Sequence, residues 1–513
     1  MIPVNEILSI KISKIFFLIF MKTLSLKKIL CYNLLEVKKM KYRIEHDSVG
    51  DKQVPVEAYY GVQSLRGAEN FKISGKTLHP AMVKNLALVK KACAIVNNKC
   101  GILSDDVCKA IVYACDEILA GKYLEEFLTD MVQGGAGTSA NMNANEVIAN
   151  ISNEYLGGGL GTYEHVHPND HVNMGQSTND VYPSAGKLGA LDLIQDAMKE
   201  LNRLYNALMN KSDEFSTILK MGRTQLQDAV PMTLGQEFHA YASVIRRDIN
   251  RIEHASHAIK VLNMGGSAIG TGINVDRNYF DMIVPEISKL TGYDLEQAPD
   301  LIDGTHNLDG LVELSSALKT CAVNLSKISN DLRLMGSGPK TMIADIILPP
   351  KQNGSSIMPG KVNPVIPEVV NQVAFKVIGN DVTISMCAEG GQLELNAFEP
   401  VLFYSLYESI EFITHGVETL VDNCIVDIKP NLEVLKKDLE TSVGTITAFV
   451  PHIGYQVSAD IAKESLRTGT PIRKLILDRK LLTEEEINEI FDPQAMTKPG
   501  IAAEYLIKQK HNK

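Results

Sequence analysis

The chain lacks several features that would mark a function class. It has no surplus of positive charge: 51 Lys and Arg stand against 61 Asp and Glu, a formal net charge of −10. That balance argues against nucleic acid as a partner, although a few local cations can still dominate a pocket for an anionic substrate. It has no apolar run approaching the length of a membrane span, so no membrane partner is expected. Its eight cysteines include no C-x-x-C pair. Cys93, Cys100, Cys108 and Cys115 are spaced like positions on helix faces, where cysteine serves as a small buried hydrophobe. This fits a reducing, cytoplasmic setting better than a disulfide framework. There is no Walker A loop: five residues separate Gly354 from Gly360-Lys361, and Val362 stands where that loop needs Ser or Thr. The histidines of His165-Val166-His167-Pro168-Asn169-Asp170-His171 invite a metal reading. Pro168 is expected to break any helical H-x-x-x-H ligand pair, so no metal site is assigned.

Residues 1–39 lack glycine, alanine and arginine but hold seven lysines and seven isoleucines. The run Ile15-Phe16-Phe17-Leu18-Ile19-Phe20-Met21 is not followed by a small-residue cleavage site. An amphipathic transit peptide would carry arginines. We read 1–39 as a non-native or disordered extension and expect Met40 to be the native start.

What remains is ordinary for a globular protein, 45% hydrophobic and 22% charged. Its length suggests roughly three domains, drawn here at 40–174, 175–431 and 432–513. The first carries helical patterns near 80–99, 104–120 and 141–156. The second carries five apolar seams at steps of three and four residues, such as Leu188-Leu191-Ile194-Met198-Leu201 and Phe403-Leu406-Ile410-Ile413-Val417. Such seams predict a mainly α fold of long helices packed at shallow angles, and long helices able to continue their packing between subunits predict an oligomer. In the third, Leu482-Thr483-Glu484-Glu485-Glu486 is a capping box opening a short helix; no chemical constellation is found there.

Polar motifs lie between the helices. Gln133-Gly134-Gly135-Ala136-Gly137-Thr138-Ser139 brings backbone N–H groups together before a helix expected near Asn141, a place that favours a carboxylate. Gly175-Gln176-Ser177-Thr178-Asn179-Asp180 offers hydroxyls and an amide that also suit an N-cap. Gly222-Arg223-Thr224-Gln225-Leu226-Gln227-Asp228-Ala229 reads as an interhelical loop, and Gly265-Gly266-Ser267-Ala268-Ile269-Gly270-Thr271-Gly272 as a tight turn near the site. Gly354-Ser355-Ser356-Ile357-Met358-Pro359-Gly360-Lys361-Val362-Asn363-Pro364 combines flexible glycines, two hydroxyls, a cation and an amide, groups suited to hold a carboxylate and move a proton.

Together these strings resemble the signatures of the fumarase/aspartase superfamily, from about Met40 to the C-terminus. The resemblance implies a three-domain fold whose five-helix bundles assemble into a tetrameric helical core, with each active site drawing on three subunits. Gln225, Val365-Ile366-Pro367-Glu368 and Glu389-Gly390-Gly391-Gln392-Leu393-Glu394-Leu395-Asn396 resemble the aspartase branch more than the fumarases; at the position of Gln225 the fumarases and some aspartases carry histidine, and other aspartases glutamine. The implied reaction is reversible deamination of L-aspartate to fumarate and ammonia through an aci-carboxylate. The implied general base is Ser355. Thr138, Ser177, Thr178, Asn179, Thr224, Gln225, Ser356, Lys361 and Asn363 would bind substrate, with His167, Asn169, Asp170 and Glu368 in support. No cofactor is required; divalent cations activate some family members, and the sequence shows no ligand set for one. The nearest rival is fumarate hydration. Argininosuccinate and adenylosuccinate lyases fit the motifs around Thr138 and Thr224 less well. A non-enzymatic helical scaffold would not need the full residue set.

Overall fold

The computed structural model describes residues 41–354 and 357–507. Residues 1–40, and with them the extension and start-site expectations, lie outside the described residues, as do Ser355 and Ser356. The described residues open with an antiparallel ribbon, β1 (Tyr42–Asp47) and β2 (Gly50–Pro55), followed by helices α1 (Val62–Asn70), α2 (Pro80–Lys99), α3 (Asp105–Leu119) and α4 (Thr138–Tyr155). The last begins three residues before the expected Asn141, because Thr138 already takes helical geometry behind the left-handed Gly137.

Five long helices follow: α5 (Thr178–Glu214), α6 (Leu234–Ser256), and, after α7 (Arg277–Thr291), α8 (Asp309–Met335), α9 (Val365–Glu389) and α10 (Glu399–Asn423). They alternate in direction. Gly235 at the start of α6 donates its N–H to the Phe215 carbonyl at the end of α5, while Lys187 near the start of α5 reaches the Val261 carbonyl just beyond the end of α6. Arg333 near the end of α8 lies 3.8 Å from Glu368 at the start of α9. The seam residues meet as expected: Leu188, Phe238, Ile245, Leu318, Val370, Phe403 and Ile410 are all fully buried in one core that runs from Leu78 to Ile428. At about 25 cal/mol per Å² of apolar surface, each such side chain stabilises the fold by roughly 1.5–3 kcal/mol before entropy is counted.

The stretch read as a loop at 222–229 is instead part of a two-stranded ribbon, β3 (Leu219–Thr224) and β4 (Gln227–Thr233). Its turn residues, Gln225 and Leu226, have positive φ of 52° and 63°, the two-residue geometry that matches strand twist. Beyond α10, α11 (Leu432–Thr441) leads into a small helical lobe with its own core from Phe449 to Leu506. The capping box at Thr483 forms as read, Thr483 Oγ1 accepting from Glu486 N and Glu486 returning the bond.

One helix is not satisfied by the single chain. On α9, Phe375, Val382 and Met386 are 64%, 57% and 69% exposed, and the position of Gly379 is open. Their spacing of seven and four places them on one helix face. Large apolar side chains gathered and exposed on one helix face mark a surface suited to being covered.

Candidate active site

The candidate residues fall into two groups at opposite ends of the bundle. The first forms around the start of α5. Ser177 caps that helix: its Oγ accepts from Asn179 N at 3.2 Å and Asp180 Oδ1 accepts from Ser177 N at 3.0 Å. The other oxygen of Asp180 accepts from Ser267 N at 3.1 Å and Gly265 N at 3.3 Å, and Asn179 Nδ2 donates to the Ala268 carbonyl at 2.7 Å. The glycine turn at 265–272 therefore does approach this group. Pro183 has no N–H, which leaves the Asn179 carbonyl without its helical partner; Asn263 Nδ2 takes that place at 2.9 Å.

The Gln133–Ser139 loop closes the group from α4. Gly135, Ala136 and Gly137 all have positive φ, and a Cβ on Gly137 would lie 2.5 Å from the Tyr182 ring. Only glycine lets the loop sit against α5 there. Thr138 is exposed, its Oγ1 donating to the Gly135 carbonyl at 2.7 Å.

Beneath this surface lies a buried polar layer that the motif reading did not single out. Lys90, fully buried on α2, donates to Asn173 Oδ1 and Gln176 Oε1, both at 2.8 Å. Asn173 Oδ1 also accepts from Asn141 and Asn145, and Asn141 Nδ2 donates to Thr178 Oγ1 at 3.1 Å. Burial pushes the Lys90 ammonium down to about 8 and the Asp180 carboxyl up to about 6, the latter despite its N–H donors. The signal was present in sequence. Asn141, Asn143, Asn145, Asn150 and Asn153 crowd one helix and are all buried, although asparagine is a poor interior helix former. Such a run needs a network to satisfy it.

The His167 loop belongs to the same N-terminal region. Pro168 does not break it; proline is tolerated in a first helical turn, and Pro168–Val172 form one, with His167 Nδ1 accepting from Asp170 N at 3.2 Å. His171 Nδ1 accepts from His167 N, and burial pushes the His171 imidazolium down. Asn169 and Asp170 are exposed. Among the described residues no group of three or more His, Cys, Asp or Glu side chains could hold a metal ion.

The second group lies beyond the far end of α5. Thr224 and Gln225 are exposed at the tip of the β3–β4 ribbon. Lys361 is exposed and Asn363 half-exposed just before α9; Lys361 makes no ion pair among the described residues. A side chain on Gly354 would strike the Lys361 carbonyl, so the signature doubles back on itself there. Glu368 faces Arg333.

The 37 residues of α5 separate Thr178 from the base of the ribbon by about 55 Å, at 1.5 Å per residue. The six-residue strand β3 spans only about 20 Å, so even a ribbon folded fully back would leave Thr224 far from Thr178. Within one chain Thr178 and Thr224 therefore stand at opposite ends of α5.

Two family profiles match: the one described as Lyase over residues 50–379, and the one described as Fumarase C C-terminus over 446–498. An aspartate ammonia-lyase of Bacillus sp is 50% identical over 460 residues, 90% of this chain and 98% of that one. Among solved structures, a fumarate lyase:delta crystallin from Brucella melitensis superposes with a TM-score of 0.87 at 46% identity, covering 90% of this chain and all of the other. A class II fumarase from Schistosoma mansoni superposes with a TM-score of 0.85 at 35% identity, again over 90% of this chain and all of that one.

Proposed function

The chain belongs to the lyase superfamily of aspartases and class II fumarases, and from that premise we infer that it is an ammonia-lyase catalysing the reversible deamination of L-aspartate to fumarate and ammonia. The observation that carries the choice of substrate is Gln225, an amide at the ribbon tip where a hydratase of this superfamily has a histidine. Glutamine cannot take up a proton, so it suits a site that surrounds an amino group better than one that manages water.

The β-hydrogen of aspartate is weakly acidic. Removing it pushes an electron pair into the neighbouring carboxylate, which becomes an aci-carboxylate; collapse of that species breaks the Cα–N bond and releases ammonia. Donors aimed at the carboxylate oxygens therefore matter more than a strong base. Ser177 and Thr178 are suited to this, because each hydroxyl oxygen already accepts an N–H and keeps its own proton to donate. Thr138 would turn its hydroxyl from the Gly135 carbonyl to substrate, and Ser356 would join them. Ser355 would take the β-proton, its alkoxide held by N–H donors, by the charge of Lys361 and by a closed, dry loop. Lys361 and Asn363 would hold the α-carboxylate, and Asn179, Thr224 and Gln225 would surround the amino group. His167, Asn169, Asp170 and Glu368 support the edges of the site.

We place the complete site between copies of the chain, in a homotetramer whose sites each draw on three subunits. The separation of the two groups and the exposed face of α9 both favour this. In functional terms, 40–174 and the start of 175–431 supply the donors to the aci-carboxylate, the ribbon and signature loop supply the base and the α-carboxylate contacts, and 432–513 backs the ribbon. The scheme runs without a cofactor; titration of magnesium into EDTA-treated enzyme measures divalent-cation activation separately. No helix among the described residues is long and apolar enough to cross a membrane. The unpaired thiols of Cys93, Cys108 and Cys321 favour a reducing, cytoplasmic setting.

The test is ultraviolet detection of fumarate from L-aspartate and, in parallel, from L-malate. Fumarate from aspartate alone is expected; fumarate from malate alone would make the protein a hydratase and remove the meaning given to Gln225.

A further inference from the structure

We propose that Arg223 and Asp438 are positioning residues that fix Thr224 and the Gln225-Leu226 turn for catalysis by tying the ribbon to the segment that leads into the signature loop and to α11 at the root of the C-terminal lobe. The proposal rests on the reading that Thr224 and Gln225 meet substrate. Its starting point is strain. Gln225 and Leu226 both lie in the left-handed region, which two-residue turns normally fill with Asn or Gly. Leu226 is 66% exposed and so gains no burial within the chain that would offset this conformation. A strained turn persists only where its surroundings over-determine it.

The surroundings here are an ionic junction two residues before Gln225. Arg223 Nη1 donates to Asp345 Oδ2 at 2.6 Å, and its Nη2 reaches Asp345 Oδ1 at 3.2 Å and Asp438 Oδ2 at 3.1 Å. Asp345 is fully buried and lies 3.2 Å from Lys220, which also pairs with Glu237. The main chain of Asp345 accepts from Asn431 N at 2.9 Å. Across the ribbon, Ser442 Oγ donates to Asp228 Oδ2 at 2.7 Å. Three parts of the chain thus converge on one guanidinium: the ribbon that ends in Thr224 and Gln225, the segment from Asp345 that leads into the signature loop, and α11 at the root of the lobe. A planar fork can make these three bonds at fixed angles; a lysine ammonium cannot. None of the junction's carboxylates belongs to the substrate-binding set. Its use is to hold the turn where a misplacement of an ångström would be costly.

The test compares Arg223→Lys and Asp438→Asn with the wild type. Hydrogen–deuterium exchange of residues 219–233 and steady-state kinetics on L-aspartate are measured on the assembled protein, with sedimentation as the control for assembly. We expect faster exchange in the ribbon of both variants, and kcat/KM lowered roughly tenfold or more with assembly retained. We also expect the double variant to be little worse than Arg223→Lys alone, because both changes cut one link. Should Arg223→Lys fail to fold, Asp438→Asn, which keeps the Arg223–Asp345 pair, carries the test. Unchanged exchange in the ribbon would overturn the proposal, as would wild-type kcat/KM in both variants or a loss that merely follows dissociation. A wild type inactive on L-aspartate would refute the deamination reading instead, and the exchange result would still decide this one.

Discussion

Ser355 and Lys361 stand six residues apart in the signature, and the tasks proposed for them are separable. A serine is a poor base in water, so proton removal by Ser355 depends on its surroundings, whereas Lys361 contributes charge to ground-state binding as well. Ser355→Ala is expected to lower kcat by several orders of magnitude with the circular dichroism spectrum and melting temperature unchanged. Lys361→Ala is expected to act first on KM. Steady-state kinetics on L-aspartate separates the two, and near-normal turnover in Ser355→Ala would remove the assigned base. The residues of this signature were legible because their chemistry is displayed in one string. Lys90 and Asn173 were not, since a lysine on an apolar helix and an asparagine in a loop acquire meaning only when the fold brings them within 2.8 Å.

At the scale of the element, the start of α5 shows how a cap and a site coexist. Asp180 returns the Ser177 cap and also holds the 265–267 turn, at the cost of burying a carboxylate. An unfolded aspartate titrates near 3.8, while burial brings Asp180 up to about 6. Between those values the folded chain holds a proton that the unfolded chain has released. This group therefore makes folding more favourable as pH falls from about 6 towards 4, and less favourable as pH rises through that window. Asp180→Asn should abolish that slope. Urea unfolding between about pH 4.5 and 7 should show the wild type gaining on the variant as pH falls; a difference independent of pH would contradict the assignment. The long helices and the Thr483 capping box were readable because a 3.6-residue period and a cap are local signals. The β3–β4 ribbon was not, because Gln225-Leu226 is not turn-forming chemistry. Its left-handed pair is imposed by the strands and by the Arg223 junction, which no local pattern announces.

The whole molecule adds what neither residue nor element contains. Its helices were expected to run on into an assembly, and the exposed stripe of Phe375, Val382 and Met386 on α9 is the face that such an assembly would cover. The separation of Thr178 from Thr224 by the length of α5 is also a property of the whole fold, invisible in a list of motifs. The proposed completion of the catalytic site between copies is tested most directly by subunit complementation. One variant, Thr178→Ala with Asn179→Ala, disables the first group; the other, Ser355→Ala, disables the second. Each alone should be nearly inactive on L-aspartate. Unfolding and refolding them as a mixture should restore substantial fumarate formation, because some sites in the hybrid would draw both groups from unaltered segments. A mixture that forms hybrids, verified by native mass spectrometry, yet stays as inactive as its parents would contradict the account.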